Sequence, residues 1–139
     1  PLPGQGAAEA RAASEDEAAS ADEAWERAVA ADGSLVSDLF QGQLRSALRC
    51  GACGRVEVTF ELFWSLPLPI PAASDAPSRE AAPTLADALG AFCREEPLEE
   101  HSWRCPGCER PVCGTKRFTP WRLPRVLQLH LKRFEWRRP

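Results

Sequence analysis

Arg49-Cys50-Gly51-Ala52-Cys53-Gly54-Arg55 is the stretch on which the fold turns. Two thiols two residues apart, with a glycine between them and another directly after, mark a tight turn. The chain on either side reads as strand. Residues 43–50 lead into Cys50. Over residues 55–64, Val56, Val58, Phe60 and Leu62 alternate with Glu57, Thr59 and Glu61. That period of two is the pattern of a strand with one apolar and one polar face. The two strands are expected to form a hairpin whose tip carries the thiols. Cys105-Pro106-Gly107-Cys108 repeats the turn after 51 intervening residues, and a strand over residues 114–119 leaves it.

Paired knuckles of this kind predict a structural zinc site. Zinc in such a site takes four ligands in a tetrahedron, and soft thiolates suit it. A CxxC turn holds two thiolates about 3.5–4 Å apart, as Zn–S bonds of roughly 2.3 Å require. The expected ligands are Cys50, Cys53, Cys105 and Cys108. The interval between the knuckles is long for a compact ribbon, so a strand, a loop and a helix are inserted there. Two disulfides are the alternative, which secretion would favour, and nothing in the chain indicates secretion. A redox CxxC lacks its βαβ context. Cys113 competes with Cys108 as a ligand, and Cys108 is preferred because it completes the knuckle. Cys93 reads as a packed free thiol, and His130 as a packed strand residue without chemistry.

Outward from the knuckles, the other elements are shorter. Residues 1–20 hold no large apolar side chain after Leu2 and are expected to be disordered or fraying helix. Ser20 is the expected N-cap of a helix with Trp25, Ala28 and Val29 on one face and Gly33 as its stop. Residues 34–40 predict one or two helical turns with Leu35, Val36, Leu39 and Phe40 inward. Leu66-Pro67-Leu68-Pro69-Ile70-Pro71 is extended by its prolines, and residues 72–83 are a loop or insertion. Thr84 begins a short helix, with Asp87 completing an imperfect capping box; Leu85, Ala88, Leu89 and Phe92 form its inner face and Pro97 ends it. Residues 126–134 predict the strongest strand, with Leu127, Leu129 and Leu131 on one side.

Composition narrows the function classes. The 139 residues are 44% hydrophobic and 27% charged, as in ordinary globular chains. No stretch approaches the roughly 20 apolar residues of a membrane span, and no basic-then-apolar leader is present. The formal charge of −3 hides a gradient. Residues 1–32 carry a balance of −6 and residues 104–139 a balance of +8. The basic residues are spread along strands rather than clustered, which disfavours nucleic acid as a partner. The chain holds no methionine and begins Pro1-Leu2-Pro3, so it reads as an internal excerpt.

Several motifs together are similar to one family. Leu123-Pro124-Arg125-Val126-Leu127-Gln128-Leu129-His130-Leu131-Lys132-Arg133-Phe134 resembles the signature strand of the ubiquitin-specific proteases, the papain-like deubiquitinases. Ser37-Asp38-Leu39-Phe40-Gln41-Gly42-Gln43-Leu44-Arg45-Ser46, running on to Cys50 and Cys53, resembles the segment that enters their zinc-ribbon fingers. The segment from Thr59 to Pro71 resembles the finger strand that follows. Phe92, Glu95-Glu96, the second CxxC, Lys116 and Trp121-Arg122-Leu123-Pro124 continue the same order. The likeness covers residues 22–136.

The resemblance implies an α+β fold of thumb, palm and fingers. Residues 21–139 would form the antiparallel fingers, with their four-cysteine zinc ribbon, and part of a papain-like palm. Residues 1–20 would be an acidic insertion and residues 72–83 a variable loop. It implies ubiquitin and ubiquitinated proteins as partners. It also implies a parent thiol hydrolase that cuts the (iso)peptide bond after ubiquitin's C-terminal glycine. The family's nucleophilic Cys motif and its His motif have no match here, so no residue of this chain is expected to be catalytic and the chain alone is expected to be inactive. Glu57 and Glu61 are reasonable partners for the basic face of ubiquitin. A thiol-rich zinc site suggests a reducing compartment, cytoplasm or nucleus. Two other readings are a catalytically inactive ubiquitin-binding scaffold and a nucleic-acid-binding zinc ribbon. A RING-type ligase would need eight ligands at closer spacing.

Overall fold

A computed structural model describes residues 15–71, 83–98 and 103–133. In chain order the elements are α1 (Glu15–Asp32), α2 (Leu35–Phe40), β1 (Gly42–Cys50), β2 (Val56–Phe63), β3 (Leu66–Pro69), α3 (Leu85–Phe92), β4 (Glu96–Pro97), β5 (Trp103–Cys105), β6 (Arg110–Val112), β7 (Gly114–Arg122) and β8 (Leu129–Lys132). The fold is α+β, as expected. Four strands form an antiparallel sheet in the order β2-β1-β7-β4, β5 and β6 form a small hairpin, and β3 pairs with β8. Among the described residues no helix is long and apolar enough to cross a membrane.

The hairpin around the first knuckle is present. β1 and β2 run antiparallel in unbroken register from Gly42↔Phe63 to Arg49↔Val56. Its burial departs from the simple alternation. Val58 and Phe60 are half-buried, while Val56 and Leu62 are exposed. Phe63, from the opposite parity, is the buried residue of the strand. The sheet is covered on different faces at its two levels, so no one parity is inside throughout. α1 lies over one face. Arg45 there donates from Nε and Nη2 to the two carboxylate oxygens of Glu17, both at 2.9 Å. That contact holds the Glu17 carboxyl below its usual range. Buried Gln43 donates from Nε2 to the Ala21 carbonyl at 2.8 Å. Arg122 pairs with Asp22 and stacks its guanidinium over Trp25, 5.1 Å from the ring centre.

The other face carries the main core. Leu44, Phe63, Leu66, Leu68 and Ala88 are buried together, with Leu89, Phe92, Phe118 and Leu129 packed against them. β3 supplies the two most enclosed leucines, and it pairs in parallel with β8 through Leu66↔Leu129 and Leu68↔Leu131. α3 closes this core from outside, with Phe92 stacked on Phe118 at 6.0 Å.

Several expectations are corrected. α1 begins at Glu15, not after Ser20, and Glu15, Asp16 and Glu17 occupy its first turn. Acids there suit the helix dipole. Residues 1–14 lie outside the described residues. Leu35 and Val36 are not inward, being 74% and 55% exposed. The buried residue of α2 is Ser37, because Ser34 and Ser37 exchange hydrogen bonds in a capping box that turns this side toward the protein. The Thr84–Asp87 box is complete rather than imperfect, each side chain accepting from the other's backbone N–H. α3 ends at Phe92, with Cys93 as its C-cap, and Pro97 belongs to β4. Leu85 is 52% exposed rather than on the inner face. β7 runs through Pro120 to Arg122, with a register shift opposite Gln43 and Leu44 that absorbs the proline. The strand expected over residues 126–134 is confined to β8, and Leu127 is exposed. Phe134 and residues 72–82 lie outside the described residues.

Candidate metal centre

The two knuckles come together because β1 is shared. β2 returns from the first knuckle on one side of β1, and β7 lies along the other, bringing the second knuckle beside the first. The Gly51 N–H donates to the Cys113 carbonyl at 3.0 Å, and the Leu98 N–H to the Gly114 carbonyl at 2.9 Å, tying the loops to the strands. Cys50, Cys105 and Val112 are buried in a second small core, with Trp103 and Cys108 packed against it.

Each knuckle is built the same way. The N–H of Gly54 donates to the Cys50 carbonyl at 2.9 Å, and the N–H of Glu109 donates to the Cys105 carbonyl at 2.8 Å. The residue after the second cysteine takes a positive φ in both, 73° at Gly54 and 54° at Glu109. Glycine accepts that conformation freely, whereas a residue with a Cβ loses about 1–2 kcal/mol there. Glu109→Gly is therefore expected to stabilise the protein by about 1 kcal/mol, and Gly54→Ala to destabilise it by a similar amount. Denaturation midpoints check both. A stabilised Gly54→Ala would refute the shared geometry.

The four expected ligands meet. The Sγ atoms of Cys50, Cys53, Cys105 and Cys108 all lie within 4.8 Å of one another and could hold a metal ion. Across the knuckles, Cys50 Sγ is 3.8 Å from Cys108 Sγ and Cys53 Sγ is 3.7 Å from Cys105 Sγ. All six cysteines are free. The Cys53 N–H donates to Cys50 Sγ at 3.4 Å, which with the Ala52 N–H and the adjoining thiols brings Cys50 down to about 6, against its burial. Cys108 is pushed up to about 12, first by its contact with Cys53 and then by burial and the other thiols. Crowded acids behave in this way, the first proton leaving easily and a later one resisting. A metal ion replaces those protons and relieves the crowding.

The remaining cysteines stand apart. Cys113 is exposed and is not among the four clustered sulfurs. Cys93 is half-buried, and burial pushes its thiol up despite the Arg117 charge nearby. His130 sits on β8, in register with Pro67. His101 lies outside the described residues. The second positive φ has no glycine in the sequence to signal it, since Glu109 stands there.

The profile of the ubiquitin carboxyl-terminal hydrolase family matches residues 6–139, and the chain belongs to that family. The chain is 42% identical over 112 residues to ubiquitin carboxyl-terminal hydrolase 4 of Eremothecium gossypii, covering 80% of this chain and 12% of that protein. It is 42% identical over 111 residues to human ubiquitin carboxyl-terminal hydrolase 21, covering 79% of this chain and 19% of that protein. Among solved structures it is similar to the SAGA deubiquitinating module Ubp8/Sgf11/Sus1/Sgf73 bound to monoubiquitin. That match has a TM-score of 0.60 at 28% identity and covers 76% of this chain and 22% of that one. The same module bound to ubiquitin aldehyde gives 0.59 at 28%, covering 75% and 21%. The chain thus spans 12% to 22% of the length of these relatives.

Proposed function

We propose that the four thiolates hold one structural zinc ion, and that the chain forms the fingers and part of the palm of a cysteine-type deubiquitinase. The observation that carries the zinc reading is the cross-knuckle spacing of 3.7 and 3.8 Å. A tetrahedron with Zn–S bonds of roughly 2.3 Å has edges of about 3.8 Å. With four protein ligands no position is open to water or substrate, so the metal supports structure.

Family membership and the ubiquitin bound by the SAGA modules support ubiquitin as the partner. The fingers and palm in this reading comprise residues 21–139, with residues 72–83 a variable insertion. The chemistry of the whole protein is cleavage of the (iso)peptide bond after ubiquitin's final glycine by a Cys–His pair. We assign no residue of this chain to that pair. Four cysteines serve the metal, and Cys93 is shifted away from the thiolate that a nucleophile needs. A reducing compartment, cytoplasm or nucleus, suits free thiolate ligands.

The test uses a ubiquitin–fluorophore substrate. The intact protein is expected to turn it over, and residues 1–139 purified alone are expected not to. Binding without turnover by the intact protein would identify an inactive scaffold instead. Absence of binding would overturn the reading.

A further inference from the structure

We infer that Arg55 is a positioning residue for the metal centre, a strap across its open side that sets how fast the metal is lost; this rests on the zinc reading above. Cys50 and Cys105 are buried, whereas Cys53 is exposed, so the cluster is open on the Cys53 side. Gly107 lies at the tip of the second knuckle. A Cβ there would stand 3.3 Å from Arg55 Cδ, 3.7 Å from Cys53 Sγ and 3.8 Å from Cys105 Sγ. The Arg55 stem therefore crosses from the first knuckle onto the tip of the second, on the side where Cys53 is exposed. The missing side chain at Gly107 is the space that the stem and the sulfurs share.

Arg55 is held at both ends. Its carbonyl accepts from the Cys50 N–H at 2.8 Å. Its Nε donates to Glu57 Oε2 at 3.3 Å. Its side chain keeps about half its surface in water, 53%, as a long basic side chain does when its stem covers a contact and its head is solvated. Four thiolates around a divalent cation carry a net negative charge, and the Arg55 stem that reaches Gly107 brings a positive charge to the same end of the structure. Groups surrounding a metal's ligands commonly change its retention by 10–100-fold.

The test is zinc release from the intact, zinc-loaded protein to EDTA, followed with a metallochromic indicator, with folded content checked by circular dichroism. Arg55→Ala is expected to speed release about tenfold. Arg55→Lys keeps stem and charge and is expected to stay within about twofold of the wild type. Gly107→Ala leaves all charges in place and presses on the stem, 3.3 Å from the new Cβ, so it is expected to speed release about twofold. Combined with Arg55→Ala, it is expected to add little, since both remove the same contact. Wild-type release rates in Arg55→Ala and Gly107→Ala would overturn the inference. If Arg55→Ala does not accumulate, an unchanged rate in Gly107→Ala would do so alone. A zinc content left unchanged by Cys53→Ser would instead refute the zinc reading.

Discussion

Replacing Cys105 with serine is expected to remove the zinc ion proposed for the thiol cluster and unfold the tip of the structure. Cys105 is fully buried, belongs to both the thiol cluster and the small core with Cys50 and Val112, and pairs with Arg110 in the β5–β6 hairpin. A hairpin of two three-residue strands cannot bury enough surface to stand alone. Structural zinc contributes on the order of 10–16 kcal/mol to the folding of small domains, so losing one ligand of four is expected to cost several kcal/mol locally. Zinc content should fall by about one equivalent, and amide exchange should become fast over residues 103–114 and 50–55. The core around Leu44 and Leu66 should keep its protection, because β1 joins β2 and β7 along their whole length. Retained zinc at wild-type affinity would contradict the four-thiolate site. Uniform unfolding would contradict the separation of the two cores.

Leu68→Ala is expected to have the other large effect. Leu68 is fully buried in the main core and faces Leu131 across the parallel pair. Truncating such a leucine costs about 2–5 kcal/mol, from lost transfer energy and the cavity left behind. Leu85→Ala, at a residue 52% exposed, is expected to stay within about 0.5 kcal/mol. Urea denaturation of the two variants measures the contrast. Equal losses would mean that α3 is more deeply packed than its exposure shows, and a loss below about 1 kcal/mol at Leu68 would refute the parallel β3–β8 core.

That contrast shows what periodicity can see. Leu85, Leu35 and Val36 sit at helical spacing and were expected inside, yet each is exposed. Spacing gives the face of a helix that is apolar. It does not give what lies opposite, and a six-residue helix held by its cap can turn a serine inward instead. Leu66 and Leu68 show the reverse. Prolines on either side of Leu68 mark the segment as extended, and nothing local says that it is central. Its burial comes from β8, which lies some sixty residues later in the chain. The helix start at Glu15 was missed for a related reason. Alanines and acids have no large apolar face, and this turn is held through Glu17 and Arg45 rather than by burial.

The residues alone determined the two thiol-bearing turns and the hairpin that carries the first of them. Such signals are local: each CxxC places its own two thiols at a turn, and alternation over eight residues names a strand. The family was legible for the same reason, through short motifs kept in order. Only the tertiary structure decided which strand lies inside, which leucines form the core, and that Glu109 and Gly54 take the same backbone turn. It also placed Arg55 over Gly107. Those are relations between segments far apart in sequence, set by how the surfaces fit once β1 has both neighbours, and no local pattern encodes them.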